Sequence, residues 1–274
     1  MTWNIRTGGV DRAGVDRGGV DHGGGDRLDA ILAVINRVRP GLLALQELRD
    51  FDRHDGRRLR AVADAAGMTA HLARSVFGQP VAVLARPPLE ITSRESVRWR
   101  LHHAAAVAVV STGSGPLTVV STHLNPFSPY RRMREATWLA ARYGSKKRLV
   151  VLAGDLNSLD PGTDHADELA RLDPRYRRRH LGADGVADTR AIAAFAEGGF
   201  TDLWPLVGRG DGHTAPTTKG GGPEFSGMRL DYVLASAPAA ATAGQARVVR
   251  GDEAEYASDH YPVVVDLDLP PVRR

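Results

Sequence analysis

The feature that most constrains this chain is a series of short apolar runs, each bounded by turn residues and each adjoining a side chain able to hold a proton or a cation. GLLALQEL (41–48) follows a Pro-Gly break and closes on Gln46 and Glu47, LTVVSTH (117–123) closes on Thr122 and His123, and VVLAGDLNS (150–158) runs through Gly154 into Asp155 and Asn157. Runs this short, with breakers on both sides, read as buried strands rather than helices. Strands are expected over 1–6, 41–48, 81–85, 104–111, 117–123, 148–153, 230–234 and 261–267, and helices over 26–38, 57–66, 131–143 and 188–197. The first helix places Leu28, Ile31, Leu32 and Ile35 at helical spacing and is stopped by Pro40. Most of these strands are joined by loops or hairpins rather than by strict βαβ crossovers. The pattern therefore fits an α/β (α+β) sandwich of two mixed β-sheets packed face to face with outer helices, and not a doubly wound parallel sheet. At 274 residues the chain can bury a substantial core, and a single domain over 1–274 is the expectation.

Several function classes drop out early. No window approaches roughly 18 consecutive apolar residues, and the opening Met-Thr-Trp-Asn has no basic-then-apolar character, so neither a membrane span nor a secretory signal is expected and the chain reads as cytoplasmic. Cys is absent, which removes disulfides, thiolate nucleophiles and zinc-thiolate sites; any metal must be held by oxygen and imidazole. No Lys follows a Gly, no His precedes a Glu and no GxSxG occurs, so a P-loop, an HExxH metal site and a nucleophile elbow are all excluded. Ser258-Asp259-His260 has the letters of a triad, but adjacent residues rarely present their side chains to one another in triad geometry. The net charge of +4 invites a polyanionic partner. Since Lys occurs only at 146, 147 and 219, the excess is carried by Arg, and compositional bias is the preferred explanation.

Two segments lack the strand pattern. Residues 8–26 repeat a Gly-Val-Asp-Arg phrase without an apolar face and read as a mobile loop, either a lid over a site or, preferably, a neutral repeat expansion. Residues 160–187 read as an insertion loop in which DPRYRRRH gathers basic residues around Tyr176, suited to gripping phosphate or stacking a base, or equally to a solvated charged surface.

The remaining polar residues share one placement. Asn4 follows Thr-Trp, Asp231 sits in MRLDYVLAS, and Asp259-His260 precedes YPVVVDLDL, as Glu47, His123, Asp155 and Asn157 close their own runs. Taken singly, each is a turn former, a cap or the start of a loop. Taken together they suggest convergence, because rigid strand ends can aim side chains into a cleft at small entropic cost. Residues two apart in an extended segment share a face, so Asp155 and Asn157 are expected side by side with Leu156 packed into the sheet.

The ordered set Trp3-Asn4-Ile5, Gln46-Glu47, Thr122-His123-Leu124, Gly154-Asp155-Leu156-Asn157, Arg229-Leu230-Asp231-Tyr232 and Ser258-Asp259-His260 resembles the motifs of the endonuclease/exonuclease/phosphatase superfamily, with the DNase I-like fold, over residues 3–265. The strand ahead of Asn4 is shorter than the family's. The resemblance implies a four-layer αββα sandwich and metal-dependent cleavage of phosphoesters by water. It implies Asp155 as the group that orients or deprotonates water, Asn157 as its support, His260 and His123 on the phosphate, and Asp231 as the carboxylate that holds His260. A hard divalent ion such as Mg2+, with Mn2+ as the substitute, suits this chemistry; Glu47 is the expected direct ligand, with Asn4 and Asp259 near the ion or its waters. Arg131, Tyr176 and Trp204 are the expected substrate contacts. The substrate is a phosphoester, in a nucleic acid or in a small metabolite or lipid headgroup, and a silent metal- or phosphate-binding protein on the same fold is the competing reading.

Overall fold

The computed structural model describes residues 1–11, 14–15, 21–22 and 25–270. Its main strands, in chain order, are β1 (Thr2–Asn4), β2 (Leu42–Gln46), β3 (Thr69–Ala73), β4 (Val81–Ala85), β5 (Ile91–Val97), β6 (Ala105–Thr112), β7 (Gly115–His123), β8 (Leu149–Asp155), β9 (Phe200–Asp202), β10 (Asp231–Ser236), β11 (Ala243–Val248) and β12 (Val263–Leu267). They form two six-stranded sheets, ordered β11-β12-β1-β2-β4-β3 and β9-β10-β8-β7-β6-β5. Each sheet is mixed: β1 runs parallel to β2, and β7 parallel to β8, while the other pairings are antiparallel.

Strand alternation builds the layers. In β2, Leu43 and Leu45 pack outward with Trp3 against Ile31, Val34 and Ile35 of helix α1 (Leu28–Val38) and Val62 of α2 (Arg57–Ala66). Ala44 between them faces the second sheet, in a layer with Val83, Ala106, Val119, Val151, Ala153 and Val233. On the far side of the second sheet, Val120, Val150, Leu152 and Tyr232 pack on Leu139 of α3 (Pro129–Tyr143) and Phe195 of a later helix, Arg190–Glu197. The result is helix, sheet, sheet, helix, the DNase I-like arrangement. Burial of each large apolar side chain contributes about 1.5–3 kcal/mol, and the alanines of the middle layer let the sheets approach closely. Helix α1 is turned slightly from expectation: Ile31, Val34 and Ile35 are its buried stripe, whereas Leu28 and Leu32 are only half-buried.

The strands expected from sequence are the eight interior ones, and the four that were missed, β3, β5, β9 and β11, are the edges of the two sheets. An edge strand is paired on one side only and needs no buried face on both. In β5, Thr92 through Ser96 are exposed, so no apolar run marks it.

Residues 160–187 are more structured than a loop. They carry α4 (Ala166–Arg171) and α5 (Pro174–Arg177), and Leu169 and Leu172 pack with Leu159, Ala215, Met228 and Leu230 in a separate apolar cluster. Of the repeat at 8–26, residues 12–13, 16–20 and 23–24 lie outside the described residues. Its base is closed by a bridge between Val10 and Asp26 and by the Arg27–Asp11 ion pair at 3.1 Å. Among the described residues no helix is long and apolar enough to cross a membrane.

Candidate active site

The period-two alternation that makes the middle layer also makes the site. Asn4 shares a face with Thr2, His123 with Ser121 and Val119, Asp155 with Ala153 and Val151, and Asp231 with Val233, all turned toward the opposite sheet. The C-terminal ends of β1, β2, β7 and β8 and the N-terminal ends of their antiparallel neighbours β10 and β12 lie on one rim, where the apolar layer gives way to polar groups. In the second sheet Asp155 is in register with His123 on one side and with Asp231 on the other. Gly154 permits this. A Cβ there would overlap the Thr122 carbonyl oxygen, so only glycine lets β7 and β8 meet at that point.

Asp155 is the hub. Its Oδ2 accepts from Asn4 Nδ2 at 3.0 Å and lies 3.4 Å from His123 Nε2 and 3.7 Å from His260 Nε2; its Oδ1 accepts from the Asn157 backbone amide at 2.9 Å. His260 Nδ1 bonds Asp231 Oδ2 at 2.7 Å, and its backbone carbonyl accepts from the Trp3 indole at 2.7 Å, which ties the end of the chain to its start. Burial by itself would lower the His260 imidazole, but the charges of Asp231 and Asp155 outweigh it and hold the group well above its ordinary value. Asp231 Oδ1 is buried without a partner among the described residues.

The first sheet supplies the other wall. Asn4 Nδ2 also donates to Glu47 Oε1 at 3.2 Å, and Glu47 Oε2 accepts from Thr7 N at 2.9 Å and Gln79 Nε2 at 3.1 Å. Glu47 sits at φ +60°, a left-handed conformation uncommon for a non-glycine residue. Asp259 accepts from Ser258 Oγ at 3.2 Å and lies 3.7 Å from Arg6 Nε. Burial first, then the nearby Glu47 charge, pushes Asp259 up to about 6 against the opposing pull of His260 and Arg6.

The structure thus brings Glu47, His123, Asp155, Asn157, Asp259 and His260 together around a cleft of about 420 Å³, with Asn4 and Asp231 buried behind them and bonded to Asp155 and His260. Asn157 reaches it by a different route from the one expected. The backbone leaves the extended conformation at Asn157, with φ +50°, so a turn closed on Asp155 Oδ1 places it, and its amide donates to the Leu124 carbonyl at 3.2 Å. The three expected substrate contacts do not line this cleft. Trp204 is packed beneath Gly208 and Gly212, whose missing side chains make room for the indole. Tyr176 is sandwiched by the guanidinium groups of Arg175 and Arg179, and it is Arg179 and His180 that reach the cleft. Arg131 lines an adjoining groove.

Other cleft residues went unread in the sequence: Arg49, Gln79, His102, His103, Glu224 and Phe225. His103 packs on His123 with ring centroids 4.3 Å apart and the planes tilted by 32°, and His102 stacks on Phe77 at 4.4 Å. Burial, with the neighbouring His123 and His102 charges, holds His103 well below its ordinary value; burial likewise takes His180 down to about 3. The available signal was position. Gln79 and His102-His103 stand just before strands, at starts that lie on the same rim as the ends of their antiparallel partners.

A two-sheet α/β sandwich with acids, an amide pair and imidazoles gathered on one rim defines a class of phosphoester-handling proteins. Residues 1–260 match the model of the Endonuclease/Exonuclease/phosphatase family, and the chain belongs to that family. No curated protein matches it in sequence. Among solved structures it is similar to an endonuclease/exonuclease/phosphatase from Bacteroides vulgatus, at 15% identity and a TM-score of 0.69 over 98% of this chain and 97% of that one. It is also similar to a mannosyl-6-phosphatase from Bacteroides thetaiotaomicron, at 15% identity and a TM-score of 0.67 over 97% of each chain. A truncated TDP2 from Caenorhabditis elegans shares 16% identity and a TM-score of 0.57 over 86% of this chain and 88% of that one. At these identities the likeness is one of fold.

Proposed function

We propose that this chain is a divalent-metal-dependent phosphoesterase that cleaves a P–O bond by attack of water, with Mg2+ as the resident ion and Mn2+ as its substitute. The observation that carries the reading is the double hydrogen bond of Asn4, whose one amide nitrogen joins Glu47 to Asp155 across the two sheets. A set of oxygen donors suited to a hard cation and a set suited to positioning water are thereby one side chain apart.

The residues fit such an ion by their chemistry. Glu47 and Asp259 offer carboxylate oxygen, as Mg2+ prefers, and their mutual repulsion is what a cation would relieve. Asn4, whose Oδ1 accepts from the Arg6 backbone amide at 3.0 Å and whose Nδ2 faces Glu47, would stand beside the ion and orient its carboxylate ligand. Asp155, Asp231 and His260 also present ligand atoms within 4.8 Å of one another. That cluster is a poorer seat, because an ion there would have to displace the 2.7 Å Asp231–His260 bond and the proton on the imidazole. When bound, the ion neutralises phosphoryl oxygens and stabilises the leaving oxygen.

The chain's own groups do the rest. Asp155, its Oδ1 fixed by the Asn157 amide, keeps Oδ2 toward the cleft to orient a water and take its proton, help commonly worth about 10²- to 10⁴-fold in rate. His260, tied through Nδ1 to Asp231, presents Nε2 as a charged donor to a phosphoryl oxygen, and His123 supplies a second contact. Hydrolysis of bis(4-nitrophenyl) phosphate with and without magnesium tests the reading. Turnover that needs the ion and falls at least about 100-fold in Asp155→Ala supports it; full turnover in the variant, or none in the parent protein, overturns it and leaves a binding protein.

A further inference from the structure

The catalytic cleft does not end at its own rim. Phe77 and His102 line it and also line an open groove of about 460 Å³ that continues past Trp99, Arg100, Arg131 and Arg134. Large exposed aromatic side chains accompany it: Trp99, 82% exposed, and Phe77, 59%, line the groove, Phe127, 60%, lines the cleft, and Tyr130, 56%, precedes the groove residue Arg131 on α3. Three of them carry a guanidinium on the ring face, Arg98 on Trp99 at 5.5 Å, Arg179 on Phe127 at 5.5 Å and Arg134 on Tyr130 at 5.9 Å. The carboxylate that lines the groove, Glu135, is buried and turns its two oxygens to the backbone amides of His102 at 2.7 Å and Asn125 at 2.8 Å.

We infer that this groove holds the continuation of a single-stranded polynucleotide whose scissile phosphate lies in the cleft, so that the substrate class is single-stranded nucleic acid; the inference rests on the phosphoesterase reading above. Exposed aromatic faces recognise bases, and only an unpaired base has a free face to stack. The guanidinium groups of Arg100, Arg131 and Arg134 along the groove meet the phosphates, and a guanidinium plane already on a ring face can also stack on a base. A lipid surface fits less well, because the aromatics and arginines border a concavity joined to the cleft, which a strand can enter and a flat bilayer cannot.

The test uses the whole chain carrying Asp155→Asn, so that bound strand is not cut, and follows fluorescence anisotropy of a labelled deoxythymidine oligomer between about 50 and 200 mM salt. The expected result is affinity at least about tenfold above that for the matching duplex. Trp99→Ala combined with Arg134→Ala should weaken binding about tenfold or more, the loss of one stacked base. It should also flatten the log–log salt dependence by about 0.7, the loss of one phosphate contact to a single strand. The urea unfolding midpoint of the same double variant should match the parent's, which reports that it is folded. Equal affinity for duplex and single strand, unchanged binding in the double variant, or binding instead to phosphatidylglycerol vesicles that the double variant loses would each overturn the inference. Absence of magnesium-dependent aryl diester hydrolysis in the parent protein would overturn the phosphoesterase reading instead, whatever the oligomer does.

Discussion

Asp155 and Asp231 lie opposite one another in register across β8 and β10, and His260 spans the pair, 2.7 Å from Asp231 through Nδ1 and 3.7 Å from Asp155 through Nε2. Two carboxylates on neighbouring strands in a dry rim would repel; a protonated imidazole between them satisfies both. The cluster is thus a charge arrangement set by strand register, and the imidazolium is its consequence.

The sign of the resulting pH dependence follows. The His260 imidazole is held above its ordinary value because the two carboxylates outweigh the effect of burial. Its charged form therefore persists at neutral pH, and both the donor it offers phosphate and the stability it lends are lost as pH rises through the raised folded value. Asp231→Asn removes the nearer charge. The alkaline limb of kcat against pH is expected to move to lower pH, with kcat near pH 8 down by about 100-fold; an alkaline limb that stays in place would assign it to another group.

A second expectation concerns the ion. Chelation should abolish aryl diester hydrolysis, and magnesium should raise the thermal midpoint of the parent protein, since a ligand at about 100 times its Kd stabilises by about 2.7 kcal/mol. Glu47→Gln should remove most of that ion-induced rise while changing the apo midpoint little, because relief of the repulsion with Asp259 offsets the loss of a hydrogen bond that Glu47 accepts from Asn4 or from Thr7 and Gln79. An ion-induced rise of equal size in the variant would move the ion away from Glu47.

These expectations rest on residues that were legible in the sequence, and the reason is geometric. A buried interior strand is mostly apolar and its few polar residues are small or neutral, so the acid, amide or imidazole that closes it is conspicuous; Asn4, Glu47, His123 and Asp155 announce themselves in this way. The edge strand β5 carries no apolar signal because Thr92 to Ser96 face water, and the edge strand β9 is only three residues long. Residues just ahead of a strand were overlooked, although an antiparallel neighbour brings them to the same rim, as with His102 and His103 before β6. Tyr176 and Trp204 have the chemistry of substrate contacts without the placement. No strand end aims either of them, and the fold uses Trp204 to fill the space over two glycines and Tyr176 to stack arginines.

Gly154 gives the sharpest test of packing behind the site. It pairs with Thr122 in the parallel ladder of β7 and β8, where a methyl group would run into the Thr122 carbonyl. Gly154→Ala must push the strands apart at the residue before Asp155. A loss of at least about 3 kcal/mol in urea unfolding is expected, the upper range for overpacking; a variant of parent stability would mean that the strands do not meet there.

Glu135 offers a pH test away from the ion. It is buried on α3 and accepts from the backbone amides of His102 and Asn125, so one carboxylate pins the loop ahead of β6 and the turn after β7, the two segments that flank His123. Burial pushes it up to about 7, with the two amide bonds pulling the other way. An acid whose folded value is raised binds its proton more tightly in the folded than in the unfolded chain. Its contribution therefore favours folding below the ordinary 4.5, declines as pH rises toward about 7 and is flat beyond that. The decline is on the order of 3 kcal/mol at most. Other groups titrate in the same window, so the measurement is the difference between parent and Glu135→Gln urea midpoints at a series of pH values. The Gln variant cannot titrate, and it turns an amide N–H toward one of the two backbone donors, so it should be less stable at low pH and approach or pass the parent near neutrality. A difference that does not change with pH would show that Glu135 is ionised throughout and that the amide bonds, not burial, govern it.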